Sequence, residues 1–599
     1  MNTPAERLAA LRTRMPQLGI DLYLVPSADE HVNEYLPPWR ARREWLSGFS
    51  GSAGDLLVGR EEAWLFVDGR YHLQADSELA GSGIAAVKVG ASGAPTLVEK
   101  LKQLAEGAPA PALGFDPHAL SLGMYDALSG SGLRQVEVEE NLVDVLWSER
   151  PEPATAALRE IPEEWSGSSP MEKVQRVRAE LANAKVDALL ALKLDQIAWL
   201  LDLRSTSDVP YNPVFESFLW LDERELHLFV REPALRLPLG YASRLPELAV
   251  HDYGAWRAFL ATRGGQKVRV DPSGATRGVV AALERAGASI SRGDSPIEIL
   301  KAKKNAAEQA AMRRANLLAS VAVTKALLWL RRECARGVQL TERRFAQELE
   351  RLYAQQEDYW GQSFGTIAGA GENGAIIHYG AAGERPIGRG ELFLIDSGAH
   401  LAGGTTDATR TMAIGAADEE QRRAYTAVLR GHIDSAAQRF PAGTGGQALD
   451  TLARASLWNE LLDYAHGTGH GVGALLNVHE GPFSISAGRN ASSRPLEPGH
   501  VTSIEPGYYR AGWGGIRLEN LYLVRQVGDA PVAEGEKRWL ELESLTWIPF
   551  DENLIDRERL STSQRHWLDL YQRECVERLG TRLDPGERRE LASWLAERP

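Results

Sequence analysis

A helix-then-strand unit occurs twice in the first half of this 599-residue chain. RLAALRTRMPQLGIDLYLVPSADE returns as KVQRVRAELANAKVDALLALKLDQ, with Asp187 falling 166 positions after Asp21. In the first copy Leu8, Leu11, Met15 and Leu18 keep a helical period ahead of the strand-like DLYLV. Two such copies predict two similarly built α/β domains. Chance likeness of two helix–strand units is the competing explanation. The proline- and serine-rich SERPEPATAALREIPEEWSGSSP marks a first boundary, and SRGDSPIEILKAKKN a second. The expected division is therefore 1–150, 151–297 and 298–599. The third part opens on a long helical pattern through residue 333, with Ala306, Met312, Ala315, Leu318 and Val321 on its period. It ends in a charged tail, 551–599, where Trp567, Leu568, Tyr571, Trp594 and Leu595 at helical spacings predict docked helices.

A net charge of −14 argues against non-specific nucleic-acid binding. The two cysteines, Cys334 and Cys575, exclude a disulfide framework and a thiolate zinc site, and they fit a reducing compartment. Charges interrupt every apolar run of the N-terminus, unlike a signal or transit peptide, and no stretch approaches the ~20 apolar residues that span a membrane. The expected location is the cytoplasm, with no membrane and no nucleic-acid partner.

Five residues of the third part form a candidate metal site: Asp396 in LIDSGAH, Asp407 in GTTDATRT, His470 in HGTGHGVG, Glu505 in SIEPGYY and Glu519 in IRLENLYL. Each carboxylate stands in an apolar or glycine-rich setting, where it is costly unless paired or bound to a cation. Two divalent metals would satisfy the set, and a two-metal site is a hydrolytic site. Asp396 closes an apolar strand, and a hairpin with a Gly403-Gly404 turn would bring Asp407 to it. Glu519 is read inside a buried strand. His466 and His470 have the i, i+4 spacing of a helical zinc motif, but Gly467, Gly469 and Gly471 disfavour helix. One histidine is therefore expected to bind metal and the others, with His479, to contact substrate. An oxygen-rich site with one imidazole suits Mn²⁺, Fe²⁺, Co²⁺ or Zn²⁺.

Two motifs are decoys. GAGENG matches the dinucleotide glycine pattern but precedes the strand-like AIIHYG, not a helix. GQSFG matches the serine-hydrolase elbow, yet the TIAGAGENGA that follows cannot form the required helix.

Across nearly its whole length the chain resembles the pita-bread metallopeptidases, and within them the three-domain cytosolic Xaa-Pro aminopeptidases. WLSGFSGSAG and VDGRYHLQA carry the likeness in the first domain, and DQIAWLLDLR and SDVPYNPVF in the second. GAIIHYG, LIDSGAH, GGTTDATRT, DYAHGTGHGVGALLNVHEGP, EPGYY and IRLENLYLV carry it in the third, and LTWIPFDENLID in the extension. The resemblance implies an α/β (α+β) chain with two creatinase-like domains before a pita-bread catalytic domain. It implies removal of an N-terminal residue from peptides with proline second, through two divalent ions, Mn²⁺ first and Zn²⁺ or Co²⁺ as alternatives. Asp396 and Asp407 would hold one metal, Asp407 and Glu519 would bridge, and His470 and Glu505 would complete the second. A bridging hydroxide would attack the scissile carbonyl, with Glu505 as proton shuttle. His378, His466 and His479 would line the substrate site and stabilise the oxyanion. Tyr509 and Arg517 would support Glu505 and Glu519, and Arg70 would reach a neighbouring active site in a homodimer. The chain departs from the family pattern at LRSTSDVP, which has an extra residue, and at the glycine-rich GQSFGTIAG. Prolidase shares the ligand set and is the nearest alternative.

Overall fold

The computed structural model describes residues 3–107, 109–488, 491–528 and 535–596. The chain forms two compact units, residues 1–161 with 168–299, and residues 162–167 with 300–599.

The first unit contains two six-stranded sheets of the same topology. From edge to edge the first runs Ala85–Lys88, Ala63–Val67, Asp55–Gly59, Leu22–Val25, Ala112–Phe115, Arg134–Glu137. The second runs Leu248–Asp252, Leu226–Val230, Ser217–Asp222, Ala188–Ala191, Lys267–Val270, Ser289–Arg292. In both, the third strand is antiparallel to its two neighbours and the remaining pairs are parallel. The repeat extends to hydrogen bonds. Asp21 donates its N–H to Ala112 O (2.9 Å) and its carboxylate accepts from Ala112 N (2.9 Å). Asp187 does the same with Lys267, at 2.8 and 2.7 Å. Each aspartate thus clamps the central strand to its parallel neighbour, which chance likeness would not reproduce. Leu8, Leu11 and Met15 are buried as the period predicts, whereas Leu18 is exposed, because the chain leaves the helix through left-handed Gly19. The LRSTSDVP departure is tied down by buried Asp208, which accepts from Ser205 Oγ, Arg236 Nη2 and Glu216 N.

In the second unit a 30-residue helix, Ala306–Ala335, starts at a reciprocal cap between Asn305 and Glu308. It buries Met312, Ala315, Leu318 and Val321, while Ala306 at its first turn is exposed. The helix packs on the strands Ala399–Leu401 and Gly404–Thr405 and shares its hydrophobic core with an antiparallel sheet of Ile367–Ala370, Leu392–Ser397 and Ala408–Ala413. A second sheet runs Phe440–Pro441, Trp539–Ser544, Asn520–Gln526, Val501–Ile504, Gly469–Gly471, Glu480–Ile485. The tail forms helices Thr562–Gly580 and Pro585–Ala596, whose Leu568, Tyr571, Leu579 and Trp594 join the same core as Leu318 and Phe393. The short helix Glu163–Ser166, placed by sequence with the second domain, belongs to this unit because Trp165 packs against Gly403 and Asn305 donates to Ser166 O.

Three local expectations change. The hairpin turn is Ala402-Gly403, both at positive φ (44° and 85°), with Leu401 paired to Gly404. That is the primed two-residue turn that fits strand twist. AIIHYG is not a strand: a 3-10 turn, Gly371–Ala375, runs into an irregular segment through His378. Its glycines serve close approach, since a Cβ on Gly515 would lie 1.8 Å from Gly374 O. Glu519 sits in the two-residue break between Gly514–Arg517 and Asn520–Gln526, its N–H diverted to Thr409 O (3.1 Å).

Candidate metal centre

The four candidate carboxylates lie at or beside strand ends, where a side chain can leave the sheet without breaking the ladder. Asp396 is the fifth residue of Leu392–Ser397, Asp407 immediately precedes Ala408–Ala413, and His470 is central in Gly469–Gly471. Glu505 follows Val501–Ile504, and Glu519 precedes Asn520–Gln526. Their donor atoms converge in overlapping triads whose members lie within 4.8 Å of one another: Asp396, Asp407 and Glu519; His470, Glu505 and Glu519; Asp407, His470 and His479. Asp407, Glu519 and His470 belong to two triads each, and of these only the two carboxylates are shared with the all-carboxylate triad. His479, assigned to substrate from the sequence, joins Asp407 and His470 in one triad, its ring centroid 4.4 Å from that of His470 and at right angles to it.

The electrostatics are those of a site built for cations. Burial, and then the charges of Asp396 and Glu505, push the Asp407 carboxyl well above the usual carboxylate range. Burial does the same to Glu519, followed by Asp407, Glu505 and Asp396. Asp396 Oδ1 and Glu519 Oε1 are buried without a hydrogen-bond partner. Each such orphan costs about 1–3 kcal/mol or more, so the donor set fits divalent cations that would satisfy both.

The imidazole is oriented for the task. His470 Nδ1 lies 3.0 Å from Gly471 O. A carbonyl only accepts, so Nδ1 carries the proton and Nε2 presents its lone pair towards Asp407 Oδ2 (3.5 Å) and Glu505 Oε1 (3.4 Å). The flanking glycines allow neighbouring strands to close in. A Cβ on Gly469 would meet Ser503 O at 2.1 Å, and one on Gly471 would meet Glu480 O at 2.4 Å.

Arg517 is buried and donates to Asp396 Oδ2 (2.6 Å), Tyr509 Oη (2.8 Å) and Thr409 Oγ1 (3.1 Å). Burial alone would lower its pKa, but Tyr509, Asp396 and Glu505 reverse this and hold it well above the ordinary value. Tyr509 lies 2.8 Å from His466 Nε2, and His466 Nδ1 donates to Gly467 O (2.7 Å). Both ring nitrogens of His466 are thus engaged by the chain. Two supporting hydroxyls were not singled out from the sequence. Thr409 Oγ1 donates to Glu519 Oε2 (2.8 Å), and Ser503 Oγ to Glu505 Oε1 (3.2 Å) while accepting from His470 N (3.0 Å). Ser363 of GQSFG is fully buried and donates to Thr406 O (2.8 Å), so it pins the Asp396–Asp407 hairpin. His378 is half-buried in its irregular segment. Arg70, in the first unit, is chelated by Asp68 through Nε (2.9 Å) and Nη2 (2.8 Å).

Residues 310–526 match the model of metallopeptidase family M24, and 538–598 that of the C-terminal region of peptidase M24. Residues 7–146 and 149–308 each match a creatinase/prolidase N-terminal domain. A probable Xaa-Pro aminopeptidase P of Aspergillus flavus is 38% identical over 96% of this chain and 89% of its own. The chain belongs to the Xaa-Pro aminopeptidase branch of metallopeptidase family M24. Another member, from Laccaria bicolor, is 37% identical over 98% of this chain and 92% of its own. Among solved structures of the branch, the X-prolyl aminopeptidase of Caenorhabditis elegans superposes with a TM-score of 0.92 at 32% identity, covering 99% of both chains. That protein is described as a cytosolic enzyme with a di-nuclear active site. The family's mixed α/β architecture, with creatinase-type domains ahead of the pita-bread domain, is the architecture found here. Among the described residues no helix is long and apolar enough to cross a membrane.

Proposed function

We propose that this chain is a dinuclear-metal aminopeptidase that releases the N-terminal residue from peptides whose second residue is proline. The observation that carries this reading is the sharing of Asp407 and Glu519 between carboxylate- and imidazole-containing triads, with two orphaned carboxylate oxygens between them. Asp396, Asp407, Glu519, His470 and Glu505 would hold two divalent ions, Mn²⁺ first. Bound there, the ions supply Lewis acidity and lower the pKa of the attacking water. The protein's own part is positional. Glu505, the most accessible of the four carboxylates, would accept a proton from the attacking water and return it to the leaving proline nitrogen. Arg517 and Tyr509 keep Asp396 and His466 in place. His378 and His479 face the peptide and stabilise the developing oxyanion, and His466, its nitrogens engaged, forms a wall. A bond before proline lacks an N–H and has a fixed φ, so the site selects for ring shape and the free amine. Arg70 contributes from a second copy in a homodimer, the chain divides into domains 1–150, 151–297 and 298–599 with the short helix Glu163–Ser166 belonging to the third, and the enzyme works in the cytoplasm.

The deciding experiment adds Mn²⁺ back to chelated enzyme with Xaa-Pro-Yaa and Xaa-Pro peptides. Release of Xaa from the tripeptide is expected. Cleavage confined to the dipeptide would make the enzyme a prolidase, and no release with any divalent metal would end the proposal.

A further inference from the structure

Arg410 is buried in the strand Ala408–Ala413, three residues after Asp407. No carboxylate among the described residues pairs with it. Its five N–H groups are instead spent on six neutral acceptors. Three surround a candidate ligand: Nη1 donates to Thr409 O (2.8 Å) and Glu519 O (2.7 Å), and Nη2 to Asn520 Oδ1 (2.8 Å). The other three lie in the C-terminal region: Nε donates to Pro549 O (3.0 Å), and Nη2 to Ile548 O (2.5 Å) and Tyr571 Oη (3.0 Å). The guanidinium also lies over the Phe550 ring, 4.3 Å from its centroid.

One side chain therefore joins the carbonyls of Thr409 and Glu519, beside the candidate metal site, to the C-terminal extension. The extension is built to hold its end. Tyr571 Oη donates to Ile548 O (2.9 Å), its ring stacks on Trp567, and Gln572 Nε2 donates to Phe550 O (2.9 Å). On the other flank of Glu519, His432 Nδ1 donates to Leu518 O (3.0 Å) and Leu518 N donates to Pro506 O (3.3 Å). The peptide groups before and after Glu519 are thus both gripped, by His432 and by Arg410. Because Glu519 lies in a break between strands, no sheet ladder would otherwise fix its Cα direction.

We propose that Arg410 is a positioning residue of the metal centre, through which the C-terminal extension fixes the backbone of Glu519. This rests on reading Glu519 as a metal ligand. It gives the extension a part in the chemistry although it supplies no ligand. It also explains a buried guanidinium whose acceptors are carbonyls and hydroxyls: a carboxylate partner would draw it away from the peptide groups it holds.

The test titrates Mn²⁺ into chelated full-length protein by calorimetry and pairs this with kcat and KM on an Xaa-Pro-Yaa peptide. Wild type is expected to take up two Mn²⁺, and Asp407→Asn fewer. If either expectation fails, the ligand reading fails and this proposal with it. Tyr571→Phe keeps the ring stacking and removes one acceptor from Arg410. It is expected to weaken Mn²⁺ binding about tenfold, the lower end for groups that support ligands, and to lower kcat with KM unchanged. Arg410→Lys reaches fewer acceptors and is expected to lose about 100-fold. Glu590→Gln, which breaks only the surface pair of the extension with Arg332, is the control and should bind Mn²⁺ as wild type does. Should Arg410→Lys not fold, Tyr571→Phe decides. Two Mn²⁺ bound by wild type and by Tyr571→Phe with equal affinity would overturn the proposal while leaving the ligand reading intact. So would an equal weakening in Glu590→Gln.

Discussion

Replacing Thr409 by valine tests how the centre tells a metal from a proton. The side chain is fully buried, so water cannot replace its hydroxyl, and valine keeps its shape. Two contacts disappear: donation to Glu519 Oε2 and acceptance from Arg517 Nε. The unsatisfied Arg517 N–H costs about 1–3 kcal/mol, but it does so with or without metal and cancels from the binding equilibrium. The Glu519 contact does not cancel. Without metal, burial and its acidic neighbours favour the protonated carboxyl, and the hydroxyl then makes a neutral hydrogen bond of about 1 kcal/mol. With metal bound, Glu519 is ionised, and the same bond is worth about 1.5–3 kcal/mol. The difference of about 0.5–2 kcal/mol predicts an about 2- to 30-fold weaker Mn²⁺ affinity in Thr409→Val. Thr409→Ser should restore it. Calorimetric titration of the chelated protein reads this directly. A Thr409→Val protein that binds Mn²⁺ as tightly as wild type would refute the reasoning.

Three further outcomes follow from buried groups. His432 is held neutral by burial and then by Arg410, its pKa lowered to about 3. Only the unfolded chain takes up that proton between about pH 6.5 and 3, so His432 should cost about 1.4 kcal/mol of stability per pH unit on acidification through that window. His432→Gln should flatten the slope of unfolding free energy by about that much, and an unchanged slope would count against it. Glu480 accepts from Lys301 and Lys304, all three fully buried. Glu480→Gln should therefore lose about 3–5 kcal/mol in urea unfolding, and a loss below about 1 kcal/mol would show that the cluster relaxes. Ser363→Ala should keep peptidase activity and lose about 1 kcal/mol of stability, whereas loss of hydrolysis with metals still bound would revive the serine-nucleophile reading.

The candidate site was legible in the sequence because each of its four carboxylates ends or interrupts an apolar run, a pattern that solvent-facing carboxylates do not make, and its imidazole stands in a glycine-rich run. The two N-terminal domains were legible because a helix–strand unit repeats, and Asp21 and Asp187 turn out to make the same clamp. AIIHYG misled because a short apolar run reads as a strand. Only the backbone approach of Gly374 to Gly515 shows why the segment curls instead. Glu519 misled because flanking leucines hide a break that exists only through Thr409 O on another sheet. Thr409, Ser503 and Arg410 carried no signal, since a hydroxyl or an arginine in a strand is ordinary until its cross-strand neighbour is known.

That neighbour is set by register. Asp396 pairs directly with Thr409, so the two side chains leave the same face of the sheet. Arg517 can then bond to both, and Thr409 can reach Glu519. A slip of one residue would send Thr409 to the opposite face and bring Ala408 or Arg410 in its place. The slip is resisted at the closed end of the hairpin, where Ala402-Gly403 fixes the loop at two residues and Ser363 grips Thr406 O. There a Cβ on Gly398 would lie only 2.0 Å from Thr406 O. The turn and the GQSFG serine bind no candidate metal and touch no candidate ligand side chain. They set the register on which the hydrogen bonds around Asp396 and Glu519 depend. Substitution at Gly398 should therefore disturb metal binding before it disturbs the core.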